Sequence, residues 1–208
     1  MTKNPVPGEV KTRLLSHVSA ETASAIALEM IVDTIEKAAA CWQGNIWLLV
    51  NPDTRHPKLI QLAKQYNLQL RTQSAGNLGT KMESAICEAL EHAPAAAVMG
   101  CDVPTVTPAI LEFANNRLLE GRNVMGPSTD GGFYFAGFTQ CQFGLFQDIQ
   151  WSTATVFEVT LRRLQACKMP VEVMLPCLND IDHWSDFVDL AKCQSRYSKF
   201  LHKLNPLD

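Results

Sequence analysis

The sequence lacks any apolar run of the roughly 18–20 residues that a membrane span needs, and its start has no hydrophobic region of the signal-peptide kind. A cytoplasmic protein with no membrane partner is therefore expected. Net charge is also small: 18 Lys and Arg against 21 Asp and Glu give −3 over 208 residues. That balance offers no basic field for nucleic acid or an anionic surface, so neither is expected as a partner. There is no Cys-x-x-Cys, and the seven cysteines, at 41, 87, 101, 141, 167, 177 and 193, are odd in number and scattered. Free thiols fit this pattern better than a disulfide framework or a zinc site. No Gly-Lys-Thr occurs and no glycine precedes Gly8 at the required spacing, which excludes a Walker A loop. Internal repeats and low-complexity linkers are absent too, so a single domain over 1–208 is expected.

What is present is a chain of ordinary globular composition, 47% hydrophobic and 19% charged, in which strand and helix patterns alternate. Strands are read at Asn45–Val50, Leu68–Thr72, Ala95–Met99, Val124–Ser128 and Val171–Leu175. Helices are read at Ser19–Cys41, Pro57–Tyr66, from Met82 to about Glu91, at Thr107–Leu119, up to about Cys167, and from Ser185 to about Leu204, followed by a loose tail NPLD. In the first helix Ala23, Ile26, Ala27, Met30 and Ala38 share one face, leaving Glu29, Asp33, Glu36 and Lys37 to solvent. This order predicts a three-layer α/β fold with a mainly parallel sheet, to which the alternating run FYFAGF adds an antiparallel strand.

The chain is organised around AAAVMGCDVPTVTP, residues 95–108. A short apolar run ends at Gly100, Asp102 follows, and Thr107 with Pro108 suits the N-cap and first position of a helix. Ligands of open α/β sheets bind outside the carboxyl ends of strands. Asp102 would lie at such an end, where it either holds a hard cation or caps the loop. Cys101 beside it has no histidine in a recognisable relation and reads as a small buried filler. Two further acidic points follow strand-like runs: Asp130, before Gly131 and Gly132, and the pair Asp180/Asp182. The Asp130-Gly131-Gly132 turn is either a plain hairpin or a close approach to a ligand. At the other end of the sequence, Pro5, Pro7 and Gly8 shape a loop bearing Lys3, Lys11 and Arg13, a candidate phosphate cradle. Oxygen ligands for a divalent cation facing such a cradle are the layout of a nucleotide-dependent transferase.

These residues fall in six ordered blocks: KNPVPGEVKTRL, GNLGTKM, MGCDVP, GPSTDGGFYFAGF, WSTATVF and NDIDHWSDF. Together they resemble the radical-SAM/selenodomain-associated transferases, also described as arsenosugar-biosynthesis-type glycosyltransferases, in the nucleotide-diphospho-sugar transferase superfamily. The resemblance spans Lys3 to about Phe187 and implies a GT-A-like, Rossmann-type fold. It also implies a Mg²⁺- or Mn²⁺-dependent glycosyltransferase that takes a nucleotide-sugar and a small-molecule acceptor, and it leaves a homo-oligomer open. By position, Lys3, Gly8, Lys11 and Arg13 would contact the phosphates, and Gly76, Asn77, Gly79 and Lys81 would lie near base or ribose. Asp102 and Asp182 would hold the metal, with Asp182 matching the acid of a D-x-D-[ST]-x-x-D element. Asp130 would be the catalytic base, and Gly131, Gly132, Trp151, Ser152 and Thr153 would shape the acceptor pocket. The alternatives are a nucleotidylyltransferase acting on an NTP and a phosphorylated or sugar acceptor, and a non-catalytic nucleotide-binding protein.

Two departures from the pattern shape the expectations. The loop acid usually found before Leu78 is Asn77, which removes a charge near the expected base or ribose contact. Relatives also open with an apolar strand before the K-x-P motif, where this chain has Met1-Thr2. The usual first strand is thus expected to be lacking, through a truncated or mis-assigned start or a gap filled by another chain.

Overall fold

The computed structural model describes residues 1–202. Its order is β1 (Thr2–Lys3), a 3₁₀ turn (Thr12–Leu14), α1 (Ala20–Cys41), β2 (Trp47–Asn51), α2 (Pro57–Gln65), β3 (Gln69–Thr72), α3 (Leu78–Leu90) and β4 (Ala96–Met99). There follow α4 (Pro108–Leu119), β5 (Val124–Pro127), β6 (Phe133–Phe138), α5 (Val156–Ala166), β7 (Val173–Met174), α6 (Trp184–Cys193) and α7 (Ser195–His202). The expected mixed α/β fold with a largely parallel sheet is what forms. The long final helix is instead two, broken at Gln194, whose backbone is extended. Its expected end at Leu204 and the tail NPLD lie outside the described residues.

Strands β1, β2 and β3 pair in parallel in the order β1-β2-β3, and a second set runs β4-β6-β5-β7. In that set β6 is antiparallel to both β4 and β5, and β5 is parallel to β7. The FYFAGF run thus supplies an antiparallel strand, and one with neighbours on both sides. The two sets meet at the N-terminus, where the Met1 amino group donates to the Met99 carbonyl at 2.7 Å. Thr2 is in register with Val50 of β2. A first strand therefore exists, two residues long, and it lies between β2 and β4.

Because side chains alternate across a strand, each strand feeds two cores. Val98, Met125, Ala136 and Phe138 pack with Met82, Ile86 of α3 and Val156, Leu164 of α5. Val124, Phe135 and Tyr134 pack with Leu111, Ala114 and Leu118 of α4. On α4's side of the sheet, Ile31 and Ile35 of α1 meet Leu48, Val50 and Leu59. Helix starts follow the local chemistry: Ser19, Asn77 and Thr107 each accept a bond from the backbone three residues on, and Pro108 opens α4.

Two sequence expectations are corrected. The polar residues of α1 are not simply open to solvent: α7 packs over Asp33, Glu29 and Glu36, and Lys37 folds back onto Asp33 and the Pro104 carbonyl. Asp33, 5% exposed, accepts from Lys37, the Tyr197 hydroxyl and Arg196. Arg196 also bonds Glu29 and Glu36, and Lys199 bonds Glu29. A second amphipathic helix from a distant part of the chain converts a polar stripe into a partly buried ion network centred on Asp33. Nor are all the thiols free: Cys87 of α3 and Cys141 after β6 form a disulfide across 54 residues, with Cα atoms 4.9 Å apart. Spacing along the chain carries no sign of this, because tertiary packing alone brings the pair together. Cys101 is the buried filler expected, and burial pushes its thiol up.

Candidate active site

The loop after β4 is held by its neighbours. Gly100 N–H donates to Tyr134, and the Asp102 carbonyl accepts from Ile181 N–H at 2.9 Å. This last bond fastens the 178–182 segment to the end of β4 and sets Asp102 beside Asp182. Lys11 enters the same place from the N-terminal loop. Its backbone is left-handed, with φ 47°, a conformation uncommon for a residue with a side chain and often found at functional sites. Its stem is buried, the side chain being 7% exposed. Lys11 Nζ lies 2.5 Å from Asp102 Oδ1, 2.7 Å from the Ile181 carbonyl and 3.6 Å from Asp182 Oδ1. Arg13 Nη1 reaches Asp182 Oδ2 at 2.5 Å.

Two carboxylates and two cations so share one cleft of about 320 Å³, which Lys3 also lines. The structure therefore brings together Lys3, Lys11, Arg13, Asp102 and Asp182 from three separate parts of the chain. Gly8 sits at the turn that precedes them, at φ 82°. A methyl there would meet nothing, so its role is the reversal of direction that returns Lys11 to the sheet.

The third acidic point is tied in through the 178–182 segment. Thr129 N–H donates to the Leu178 carbonyl, and Thr129 Oγ1 donates to Asn179 Oδ1. Asp130 is fixed by its own turn: Oδ1 accepts from Ser128 Oγ at 2.5 Å and from Gly132 N–H at 2.8 Å. Asp180, two residues before Asp182, has its carboxyl pushed up by burial first and then by the charges of Asp130 and Asp182. The sequence singled out the Asp180/Asp182 pair but gave Asp180 no role. Its distinguishing feature, a half-buried acid under the charge of Asp130 as well as Asp182, arises only from the chain crossing.

The remaining candidates sit farther along the same end of the sheet. Lys81 Nζ reaches Asn51 Oδ1 at 3.2 Å, at the end of β2 in register with Lys3. Gly76 has φ 108° and leads into α3, which Asn77 caps by accepting from Thr80 N–H. Gly79 packs under the 146–151 segment: a methyl there would lie 2.6 Å from the Phe146 carbonyl and 2.9 Å from Trp151. Trp151 packs edge-on to Phe133 and tilted against Phe146, and its buried Nε1 has no partner. Gly131 passes directly beneath Ala154, leaving no room for a side chain, and its carbonyl accepts from Phe157 N–H. Gly132 donates to Asp130, Ser152 is left-handed at φ 63°, and Thr153 donates to the Gln150 carbonyl. None of these residues lines the Lys11 cleft.

Whether the cleft suits a divalent cation is answered by the ion already in it. Asp102, Asp182 and the Ile181 carbonyl direct oxygens at one cationic centre, the Lys11 ammonium. No group of three His, Cys, Asp or Glu placed to hold a metal ion exists among the described residues. Two carboxylates suffice for Mg²⁺ or Mn²⁺ when phosphate oxygens and water complete the shell, so the donor set fits.

A family model described as "Uncharacterized protein conserved in bacteria (DUF2064)" matches residues 34–153. Among curated proteins no match is found. Among solved structures, the chain is similar to a Desulfovibrio desulfuricans G20 protein described as a candidate nucleotide-diphospho-sugar transferase. Identity is 25%, the match covers 99% of this chain and 93% of that one, and the TM-score is 0.85. Rv0371C of Mycobacterium tuberculosis H37Rv, in a complex with manganese, is 16% identical over 77% of this chain and 84% of that one, with a TM-score of 0.53. A cytidylyltransferase from Leptospira borgpetersenii serovar Hardjo-bovis is 16% identical over 85% and 84%, with a TM-score of 0.56. At that identity the last two speak to the fold alone.

Proposed function

This chain belongs to the DUF2064 family and has the fold of a nucleotide-diphospho-sugar transferase, and from that premise we propose that it is a metal-dependent glycosyltransferase. It would take a nucleoside-diphospho-sugar and a small-molecule acceptor, act in the cytoplasm as one GT-A-like domain over residues 1–208, and belong to the radical-SAM-associated, arsenosugar-type group. The observation that carries this reading is the convergence of Asp102 and Asp182 on one cationic position beside Lys3, Lys11 and Arg13.

In this reading the diphosphate lies across the cleft, and Lys11 turns from Asp102 onto its oxygens, with Lys3 and Arg13 on the flanks. Asp102 and Asp182 would hold Mg²⁺ or Mn²⁺, which supplies neutralisation of charge on the departing diphosphate. Ile181 N–H keeps Asp102 in place throughout. Asp130, whose Oδ1 is occupied by Ser128 and Gly132, would take the acceptor hydroxyl proton on Oδ2 as general base. Gly131, Gly132 and the 151–153 segment frame the acceptor side, and the α3 entry at Gly76–Lys81 frames the nucleoside side.

Nucleotidyl transfer is the second reading, favoured by the shared fold of the Leptospira cytidylyltransferase. Pyrophosphate release from an NTP and an acceptor would decide for it. The test of the main reading is a thermal-shift panel of nucleoside diphosphates, triphosphates and nucleotide-sugars with and without Mg²⁺ or Mn²⁺, repeated on Asp102→Asn. Metal-dependent stabilisation by a nucleotide-sugar is expected, and its survival in the variant would refute Asp102 as the metal anchor.

A further inference from the structure

Residues 139–155, between β6 and α5, contain neither helix nor strand, and connections of that length without secondary structure are uncommon and mostly functional. The segment packs on α3. Leu145, Phe146 and Ile149 are buried in one cluster with Met82 and Ile86, and the Phe146 carbonyl and Trp151 close over Gly79 at the start of the helix. Near its other end the same segment is tied to α3 by the Cys87–Cys141 bond.

What holds the segment changes along its length. Thr139 N–H donates to Asn123 Oδ1. From Leu145 onward, buried side chains fix the path, together with bonds from Arg163 Nη1 to the Leu145 and Gln147 carbonyls. Between these points the chain is exposed or half-buried, with Phe143 77% exposed and Gly144 left-handed at φ 81°. The hydrogen bonds there are local, from Leu145 N–H to the Gln142 carbonyl and from Gln142 Nε2 to the Phe143 carbonyl. Among the described residues, the disulfide is the one long-range polar or covalent link of 140–144. Cys87 and Cys141 are themselves half-buried rather than enclosed.

A lasting disulfide suits an oxidising compartment, whereas those of reducing ones are transient or redox-sensing. We propose that Cys87–Cys141 is a thiol–disulfide switch, which tightens the 139–155 strap onto α3 when oxidised and loosens it when reduced. The inference rests on the cytoplasmic transferase reading, in which the first turn of α3 frames the nucleoside and residues 151–153 frame the acceptor. Opening takes two electrons from thiols of the glutathione class. One thiolate attacks a sulfur of the pair, breaks the S–S bond and forms a mixed disulfide. A second thiolate releases it as the oxidised dimer, and the two protein thiols take up two protons. The oxidised dimer reverses both steps. Looseness at Cys141 passes through Phe146 to Gly79, so the reduced protein offers a less ordered wall, which binding must order first.

The test takes the full chain through millimolar reduced glutathione and then through oxidised glutathione. Alkylation read by mass should show Cys87 and Cys141 opening together and closing again without denaturant, with far-UV circular dichroism unchanged. Amide exchange over 140–150 and at Gly79–Met82 should quicken at least about tenfold in the reduced state. A nucleotide-sugar bound with Mn²⁺ by the oxidised protein should bind the reduced one about fivefold more weakly. Cys141→Ser should match the reduced state and ignore glutathione, whereas Cys193→Ser, exposed on α6, should switch like wild type. A bond that opens only in denaturant, helices lost on opening, unchanged exchange at 140–150, or equal nucleotide affinity in the two states would each overturn the proposal. Alkylation and exchange need no ligand. If both behave as expected while neither state binds any nucleotide, the transferase reading is refuted and the strap stands.

Discussion

Lys11 Nζ stands 2.5 Å from Asp102 Oδ1, with its stem buried and its head between two carboxylates. On the proposed reading this ammonium occupies the position of the divalent ion, and nucleotide binding would exchange its partners within the cleft. Removing the ammonium separates its two roles. Lys11→Met should tighten binding of Mn²⁺ alone by about tenfold, a like charge being gone, and weaken nucleotide diphosphate binding by a similar factor. Titration calorimetry with metal and nucleotide separately checks both signs.

Asp180 yields a pH prediction. Its carboxyl is raised by burial and by Asp130 and Asp182, so the native state holds its proton more tightly than the unfolded chain does. Stability on this account falls as pH rises from the unfolded value, about 3.9, through the raised native one. Asp180→Asn should therefore be more stable than wild type at pH 7, with the advantage fading toward pH 4. Urea unfolding at several pH values measures it, and a constant advantage would refute the cause.

The buried network on α1 should dominate stability on that side of the sheet. Asp33→Ala removes the acceptor of the Tyr197 hydroxyl, whose phenol burial and then Asp33 push up, and one carboxylate partner each of Lys37 and Arg196. A loss of about 3 kcal/mol is expected, whereas Lys199→Ala, half exposed on Glu29, should cost less than about 1 kcal/mol. Denaturant midpoints at fixed m-value check the contrast.

Gly79→Ala distinguishes packing from nucleotide contact. Its methyl would press on the Phe146 carbonyl and Trp151, so a destabilisation of about 1–3 kcal/mol is expected, with shifted tryptophan emission before any ligand is added. Unchanged stability with weakened nucleotide binding would give Gly79 the other role.

Reducing the Cys87–Cys141 bond should lower stability by about 4 kcal/mol on the loop-entropy model, given its 54-residue separation. The same fall is expected in Cys87→Ser, and dithiothreitol should then have no further effect. Thermal unfolding with and without reductant measures both.

Much of this fold is legible in the sequence because local chemistry and tertiary packing agree. Thr107 and Pro108 start α4 where capping rules place the start, and Asp102 lies at a strand end as its Gly-bounded run predicts. What is not legible depends on distant partners. Asp33 reads as a solvent-facing acid until α7 brings Arg196 and Tyr197 onto it. Cys87 reads as a free thiol until β6 brings Cys141 alongside. Asp180 reads as one acid of a pair, because its crowding by Asp130 depends on the Thr129–Leu178 bond.

The bond from Lys11 to the Ile181 carbonyl joins residues 170 apart, and the strand between β4 and β5 is the one made after both. The first of these requires closure of nearly the whole chain before it returns any energy, which slows folding. During synthesis, the cations of the N-terminal loop emerge first and wait for their carboxylate partners until the ribosome has passed Asp182. The cleft therefore cannot form before the chain has passed Asp182, and chains interrupted before residue 180 should hold their early helices and strands without it.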